Sequence, residues 1–165
     1  MENYIVINGQ KAELTDEQLK QLGLKVDEKR NNPFERRYGN EYFIISENDS
    51  ISSAVDRNFN DDNIAYKNVN YFNDYEFTKQ VIWHQLLNRM LLKYAYDNNA
   101  EDREWNCETS HYHIAFSYRT DELFVGYDDV CKYPNVVYFS NMDVTEQAIE
   151  DVVKPFMKEH PEFVW

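Results

Sequence analysis

The sequence predicts an α+β fold: antiparallel sheet or sheets packed on one long central helix, with two equivalent strand-to-helix corners. Three observations predict it. Residues 73–96 contain neither Gly nor Pro, and their apolar side chains recur at helical spacing, with Trp83, Leu87, Leu91 and Ala95 in one i,i+4 row and Ile82, Leu86, Met90 and Tyr94 in the row beside it. Short β-branched and aromatic runs bounded by Asn, Gly and Asp lie on both sides of that stretch. Finally, residues 71–82 align with residues 138–149 at a constant offset of 67: each copy has a Tyr-Phe pair, a polar cap, an acid and then an amphipathic run. Common capping patterns also produce such a recurrence.

In chain order, residues 4–7 read as a strand ending at the Asn8-Gly9 turn. Thr15 caps a short helix over residues 16–22, with Gln18 completing a capping box and Gly23 closing it. Residues 25–32 are polar and aperiodic, which makes 1–32 an appendage with a linker and 33–165 the main domain. Residues 42–45 read as a strand, 51–55 as its hairpin partner, 57–63 as a polar loop and 64–69 as a third strand. The long helix follows, capped by Asn73 with Glu76 in a capping box and stopped at Asn98 and Asn99; about 1.5 Å per residue makes it about 35 Å long. Residues 111–118 and 123–127 then form a hairpin around the turn at 119–122. Residues 136–139 read as a strand, and Ser140 caps a helix from Met142 to the neighbourhood of Lys154, where Pro155 sits within the helix or restarts it.

Of the 165 residues, 42% are hydrophobic, enough for one domain with a core plus a small appendage. No apolar run approaches 18 residues and no signal-peptide pattern opens the chain, so a soluble cytoplasmic protein with no membrane partner is expected. Cys107 and Cys131 read as two ordinary thiols. Four glycines leave no phosphate-binding loop or dinucleotide fingerprint, and no nucleophile elbow, zinc helix or cysteine knuckle is present, so no cofactor is expected. Cys107, His111 and His113 are the best metal candidates, with two histidines on one strand face and a cysteine nearby, yet their spacing matches no strong pattern and no metal is assigned. His84 beside the apolar stripe reads as a packing or boundary histidine rather than a base. Adjacent acid pairs in turns point apart into solvent, unlike the converging carboxylates of a hydrolase, so an enzyme is not expected.

The formal net charge is −13, and ten of those units lie between Asp97 and Asp151, where thirteen acids face only Arg103, Arg119 and Lys132. Such a surface repels nucleic acid and attracts basic grooves on other proteins, although acidity also serves solubility alone. Spaced carboxylates can imitate a phosphate backbone. The candidate partner-binding residues are Glu101, Asp102, Glu104, Asp121, Glu122, Asp128, Asp129, Glu150 and Asp151, with Tyr118 and Tyr127 supplying rigid contact area.

The opening strand with its Thr15-Asp16-Glu17-Gln18-Leu19 helix ending at Leu22-Gly23 is one part of a wider resemblance. The others are the Asn70-Tyr71-Phe72 approach to the long helix, and the Val137-Tyr138-Phe139-Ser140 approach followed by Gln147-Ala148-Ile149-Glu150. Together they resemble a family of small proteins encoded by bacteriophages and prophages of low-GC Gram-positive bacteria, some relatives of which are similar to anti-CRISPR proteins. The resemblance covers most of the chain, carries over no individual binding residue, and is departed from by the acidic, Asn-rich insert after Tyr96. It implies a non-enzymatic inhibitor in the host cell that occupies a basic nucleic-acid channel of a CRISPR RNA-guided nuclease as a nucleic-acid mimic, without binding nucleic acid directly. The alternative is a structural or host-interaction protein of a phage with no nucleic-acid-related target.

Overall fold

The computed structural model describes residues 31–165 throughout and, before them, residues 4–7 and 10–13, Thr15, Gln18, Gln21 and Leu22. The chain divides into two compact units, Met1–Asn32 and Pro33–Trp165. In the first, β1 (Tyr4–Ile7) pairs antiparallel with β2 (Gln10–Glu13), Tyr4 opposite Glu13 and Ile7 opposite Gln10. The second strand was not expected from Gln-Lys-Ala-Glu, whose residues have weak strand preference. The Thr15 capping box forms: Gln18 N–H donates to Thr15 Oγ1 at 3.3 Å and Thr15 N–H to Gln18 Oε1 at 2.9 Å. The expected Asn8-Gly9 turn, the Gly23 stop and residues 25–30 of the linker lie outside the described residues.

The second unit is an α+β fold with two two-stranded antiparallel sheets and helices, one of them long. β3 (Glu41–Ile45) and β4 (Ile51–Val55) form the first hairpin, and Asp49 takes a positive φ of 57° in its turn. Residues 64–69 are not the expected strand. They belong to helix α1 (Asn60–Lys67) and the turn after it. The acids of the supposed loop start this helix, because Asp62 accepts from the Arg57 and Phe59 N–H groups at 3.0 and 2.8 Å and so satisfies donors at its start.

Helix α2 (Tyr75–Asp97) lies close to the expected stretch, but Asp74, not Asn73, is its N-cap and accepts from Phe77 N–H at 3.0 Å. Glu76 therefore closes no capping box and pairs with Lys79 instead. Asn98 is the C-cap. Leu87, Leu91 and Ala95 are buried as their row predicts, whereas Met90 in the second row is exposed.

β5 (His111–Ser117) and β6 (Glu122–Asp128) form the second hairpin, with Asp121 at φ 59° in the turn. Residues 136–139 do not form the expected strand, because Phe139 makes only single bridges, to Tyr112 and to Glu101. Asn141, one residue beyond the expected Ser140, caps α3 (Met142–Ala148). A π-helical turn (Ile149–Val153) links α3 to α4 (Lys154–Glu159), which begins around Pro155. The wider turn accommodates a residue that has no N–H and would crowd the carbonyl one helical turn back. The core joins Leu87, Leu91 and Ala95 to Phe139, Val153 and Phe156.

Candidate functional site

Register places His111 opposite Asp128 and His113 opposite Gly126 on one face of the second hairpin, while Tyr112, Ile114 and Leu123 on the other face pack on the core. Trp105 lies on the first face, stacked on His111 at 3.8 Å and meeting the Tyr138 ring edge-on at 5.0 Å. His111 is only 1% exposed and is held through both nitrogens, Nδ1 at 2.8 Å from Asp102 Oδ2 and Nε2 at 2.7 Å from the Asn106 carbonyl oxygen. A carbonyl only accepts, so Nε2 donates to it, while Nδ1 and the Asp102 carboxylate share one hydrogen bond. His113 occupies space that only a glycine leaves, since a Cβ on Gly126 would stand 2.7 Å from its Nε2. Its Nδ1 is buried without a hydrogen bond, 3.5 Å from Asp128 Oδ2. The Tyr138 hydroxyl donates to Asp128 Oδ2 at 3.3 Å and accepts from Tyr133 N–H at 3.1 Å, and burial raises its pKa.

Beside His111 opens a pocket of about 370 Å³, lined by Glu101, Asp102, Glu104, Thr109, Ser110 and Ser140 among others. Backbone pairing fixes one wall: Glu101 bridges to Phe139, and Ser140 N–H donates to the Ala100 carbonyl at 2.8 Å. The Glu101 side chain is thereby 9% exposed. The Arg103 guanidinium holds its Oε1, while Oε2 is buried with no hydrogen-bond partner among the described residues.

The first hairpin carries a different network. Arg36 grips fully buried Asp56 with two bonds, Nε to Oδ2 at 2.6 Å and Nη2 to Oδ1 at 2.8 Å, and the carboxyl is lowered to about 2 chiefly by that pairing. The Tyr71 hydroxyl adds a bond to Asp56 at 3.3 Å and accepts from Arg37 N–H at 3.1 Å. Tyr42 stacks on Tyr71 at 4.3 Å and donates to Asp62 at 2.7 Å; burial first, then that bond, raise its pKa.

The predicted site residues therefore separate. Glu101, Asp102 and Glu104 meet at one pocket; Asp121 and Glu122 stand exposed at the hairpin turn, and Asp129 is exposed just beyond β6. Asp102 and half-buried Asp128 hold internal partners. Glu150 pairs with Lys154, and Asp151 accepts from the Tyr94 hydroxyl at 2.8 Å, though both acids are exposed. Tyr118 and Tyr127 are exposed, and the Tyr118 hydroxyl donates to the Trp165 carbonyl. Sequence reading missed Arg103, Thr109, Ser110 and Ser140; an acid nine residues before a histidine at a strand start was the available signal for Asp102.

Cys107 is exposed and both His111 nitrogens are occupied, and among the described residues no group of three or more His, Cys, Asp or Glu side chains has metal-holding geometry. A larger groove of about 910 Å³ runs along α2 past Phe77, His84, Arg89, Ile114 and Trp165. Arg89 there is already paired with Asp49. Among the described residues no helix is long and apolar enough to cross a membrane. Comparison with family models, with curated proteins and with solved structures finds no match.

Proposed function

We propose that this chain is a non-enzymatic inhibitor acting in the host cytoplasm, one that docks a basic nucleic-acid channel on a protein, of the CRISPR effector nuclease class that its motifs resemble. The observation that carries the reading is the division of acids in residues 97–151. Asp102 and Asp128 are used internally, while Glu104, Asp121, Glu122, Asp129, Glu150 and Asp151 are exposed, with only Arg103, Arg119 and Lys132 as bases in the same stretch. Such an excess of like charge, of which only Glu150 has a cationic partner among the described residues, Lys154, attracts a basic partner at long range and accelerates its encounter. A binding role is favoured over catalysis because His111, the histidine at the pocket, already has both nitrogens bound.

The same reading takes the domain as two hairpin-to-helix corners sharing the long helix, the second carrying the charge. In its support, Phe72 bridges to Phe43 as Phe139 does to Tyr112. Asp74 and Asn141 cap the two helices, and Thr78 and Thr145, both fully buried, donate to the cap carbonyls at 2.6 and 2.7 Å. Ile82 and Ile149 are both buried.

The test compares two sets of exposed acids reversed to lysine, Asp121, Glu122 and Asp129 against Glu41, Glu47 and Asp61, which change the formal charge equally. Binding to purified CRISPR effectors is measured at two ionic strengths, with circular dichroism to verify folding. The first set is expected to weaken binding by about tenfold or more, slow association and flatten its salt dependence, and the second to change little. Equal losses would leave net charge as the whole effect. A parent protein that binds no effector in a representative panel would transfer the preference to a structural or host-interaction role.

A further inference from the structure

We infer that the pocket beside His111 receives a single guanidinium group, an arginine side chain of the docked partner, with Glu101 Oε2 as its anchor. The inference rests on the proposed reading in needing a basic partner, and goes beyond it in assigning a defined receptor within the acidic region. A carboxylate oxygen buried without a donor is costly, and most buried polar atoms are paired. Glu101 is held in that condition because its backbone is bridged to Phe139 and the neighbouring Ala100 carbonyl is tied to Ser140, so the side chain does not escape by a local shift of the chain. A cationic donor entering the pocket supplies the missing bond.

The rest of the lining selects the kind of cation. Glu101, Asp102 and Glu104 exclude an anion, and the described residues offer no group suited to a metal ion. The acceptors are spread around the walls, on carboxylates and on the Thr109, Ser110 and Ser140 hydroxyls, an arrangement that suits a planar group with five donors better than a compact ammonium. Guanidinium chemistry is already present there, since Arg103 pairs with Oε1 of the same carboxylate from a side chain that is 70% exposed. Arg103 is thus a resident competitor: it occupies one oxygen of the carboxylate from an exposed position against the exposed Tyr96 ring, and a partner arginine must displace it from there.

The experiment is a ¹H–¹⁵N NMR titration of the full chain with acetyl-Gly-Arg-Gly-amide and with its lysine counterpart. The arginine peptide is expected to cause saturable shifts at the amides of Ala100, Glu101, Asp102 and Ser140, and the lysine peptide to bind more weakly. Glu101→Gln, which keeps the side-chain shape, should weaken arginine binding about tenfold, as expected for loss of a charge-assisted bond. Arg103→Gln, at an exposed position, should tighten it about threefold by removing the competitor. Saturable shifts confined to residues 121–129 would overturn the pocket and leave the acidic-surface reading standing. Saturable shifts at the pocket with no binding of the parent protein to any CRISPR effector would do the reverse. Unchanged affinity in a natively folded Glu101→Gln protein would also overturn the pocket. If that variant does not fold, Arg103→Gln decides, and unchanged or weaker binding by it would sink the proposal.

Discussion

The two hairpins of the Pro33–Trp165 unit both bury an aspartate, but one gives it an arginine and the other a histidine. Asp56 is clamped by two bonds from Arg36, which is a permanent cation, and Tyr71 and the Asn58 N–H complete its partners. Asp102 is held by a single bond to His111 Nδ1 at 2.8 Å. The first network is closed, with both Asp56 oxygens bonded. The second adjoins an open pocket and, among the described residues, leaves His113 Nδ1 and Glu101 Oε2 without bonds. On the proposed reading, the contrast separates a polar core that fixes a fold from one that keeps unsatisfied groups for a ligand to complete.

The comparison breaks most readily at the aspartates. Asp56→Ala leaves an arginine that cannot shed its charge beside two lost hydrogen bonds, and should lower the melting temperature by about 10 °C. Asp102→Ala deletes one hydrogen bond, at Nδ1, and leaves the Nε2 bond to the Asn106 carbonyl and the Trp105 stacking in place, so roughly half that loss is expected. Differential scanning calorimetry of both variants settles the order. An equal or larger loss from Asp102→Ala would mean that the single His111 bond matters as much as the two-bond arginine clamp.

Acid sharpens the same contrast with a smaller effect. Arg36 holds the Asp56 carboxyl at about 2 against an ordinary value of 3.8, and the Tyr42 hydroxyl lowers Asp62 as well. Both groups take up a proton more readily when the chain is unfolded. Their stabilisation is therefore complete above the ordinary value of 3.8, and is lost as the pH falls through that value toward about 2. Urea midpoints measured down through this window should fall steeply for the parent protein and less steeply for Asp56→Asn. A parallel fall in both would remove Asp56 as the cause.

Much of the framework was legible because it is written in local periodicity. The Leu87, Leu91 and Ala95 row, the two hairpins and the Thr15–Gln18 box all follow from spacings of two to four residues. Residues 64–69 were misread because Ile64, Ala65 and Tyr66 fit a strand, whereas the helix is set by Asp62 upstream, an acid that looked like part of a polar loop. Residues 136–139 do have strand composition, but tertiary contacts give Phe139 only single bridges. At the candidate site, charge alone singled out Glu101, Asp102 and Glu104. Their meeting with Ser140 depends on the pairing of Glu101 with Phe139, 38 positions along the chain, which no local pattern encodes. Arg36 attracted no notice for the same reason, since its partner lies 20 residues away.

The smallest predicted effect bears on the proposed equivalence of the two strand-to-helix corners. Tyr71 and Tyr138 occupy matched positions at the offset of 67, and both hydroxyls donate to an aspartate Oδ2 at 3.3 Å and accept from a backbone N–H at 3.1 Å. Removing either hydroxyl by substitution with Phe keeps the ring packing and deletes the same pair of bonds, so each variant should lose about 1–2 kcal/mol. The losses should agree to within about 0.5 kcal/mol, and the double variant should show their sum, provided the two sites do not communicate. Denaturant unfolding of the two single variants and the double variant measures all three quantities. A much larger loss at Tyr71 would indicate that the Arg36-centred network acts as one cooperative unit and that the corners, though alike in sequence, are not energetic equivalents. A larger loss at Tyr138 would reverse the contrast itself, placing the more rigid polar core next to the pocket.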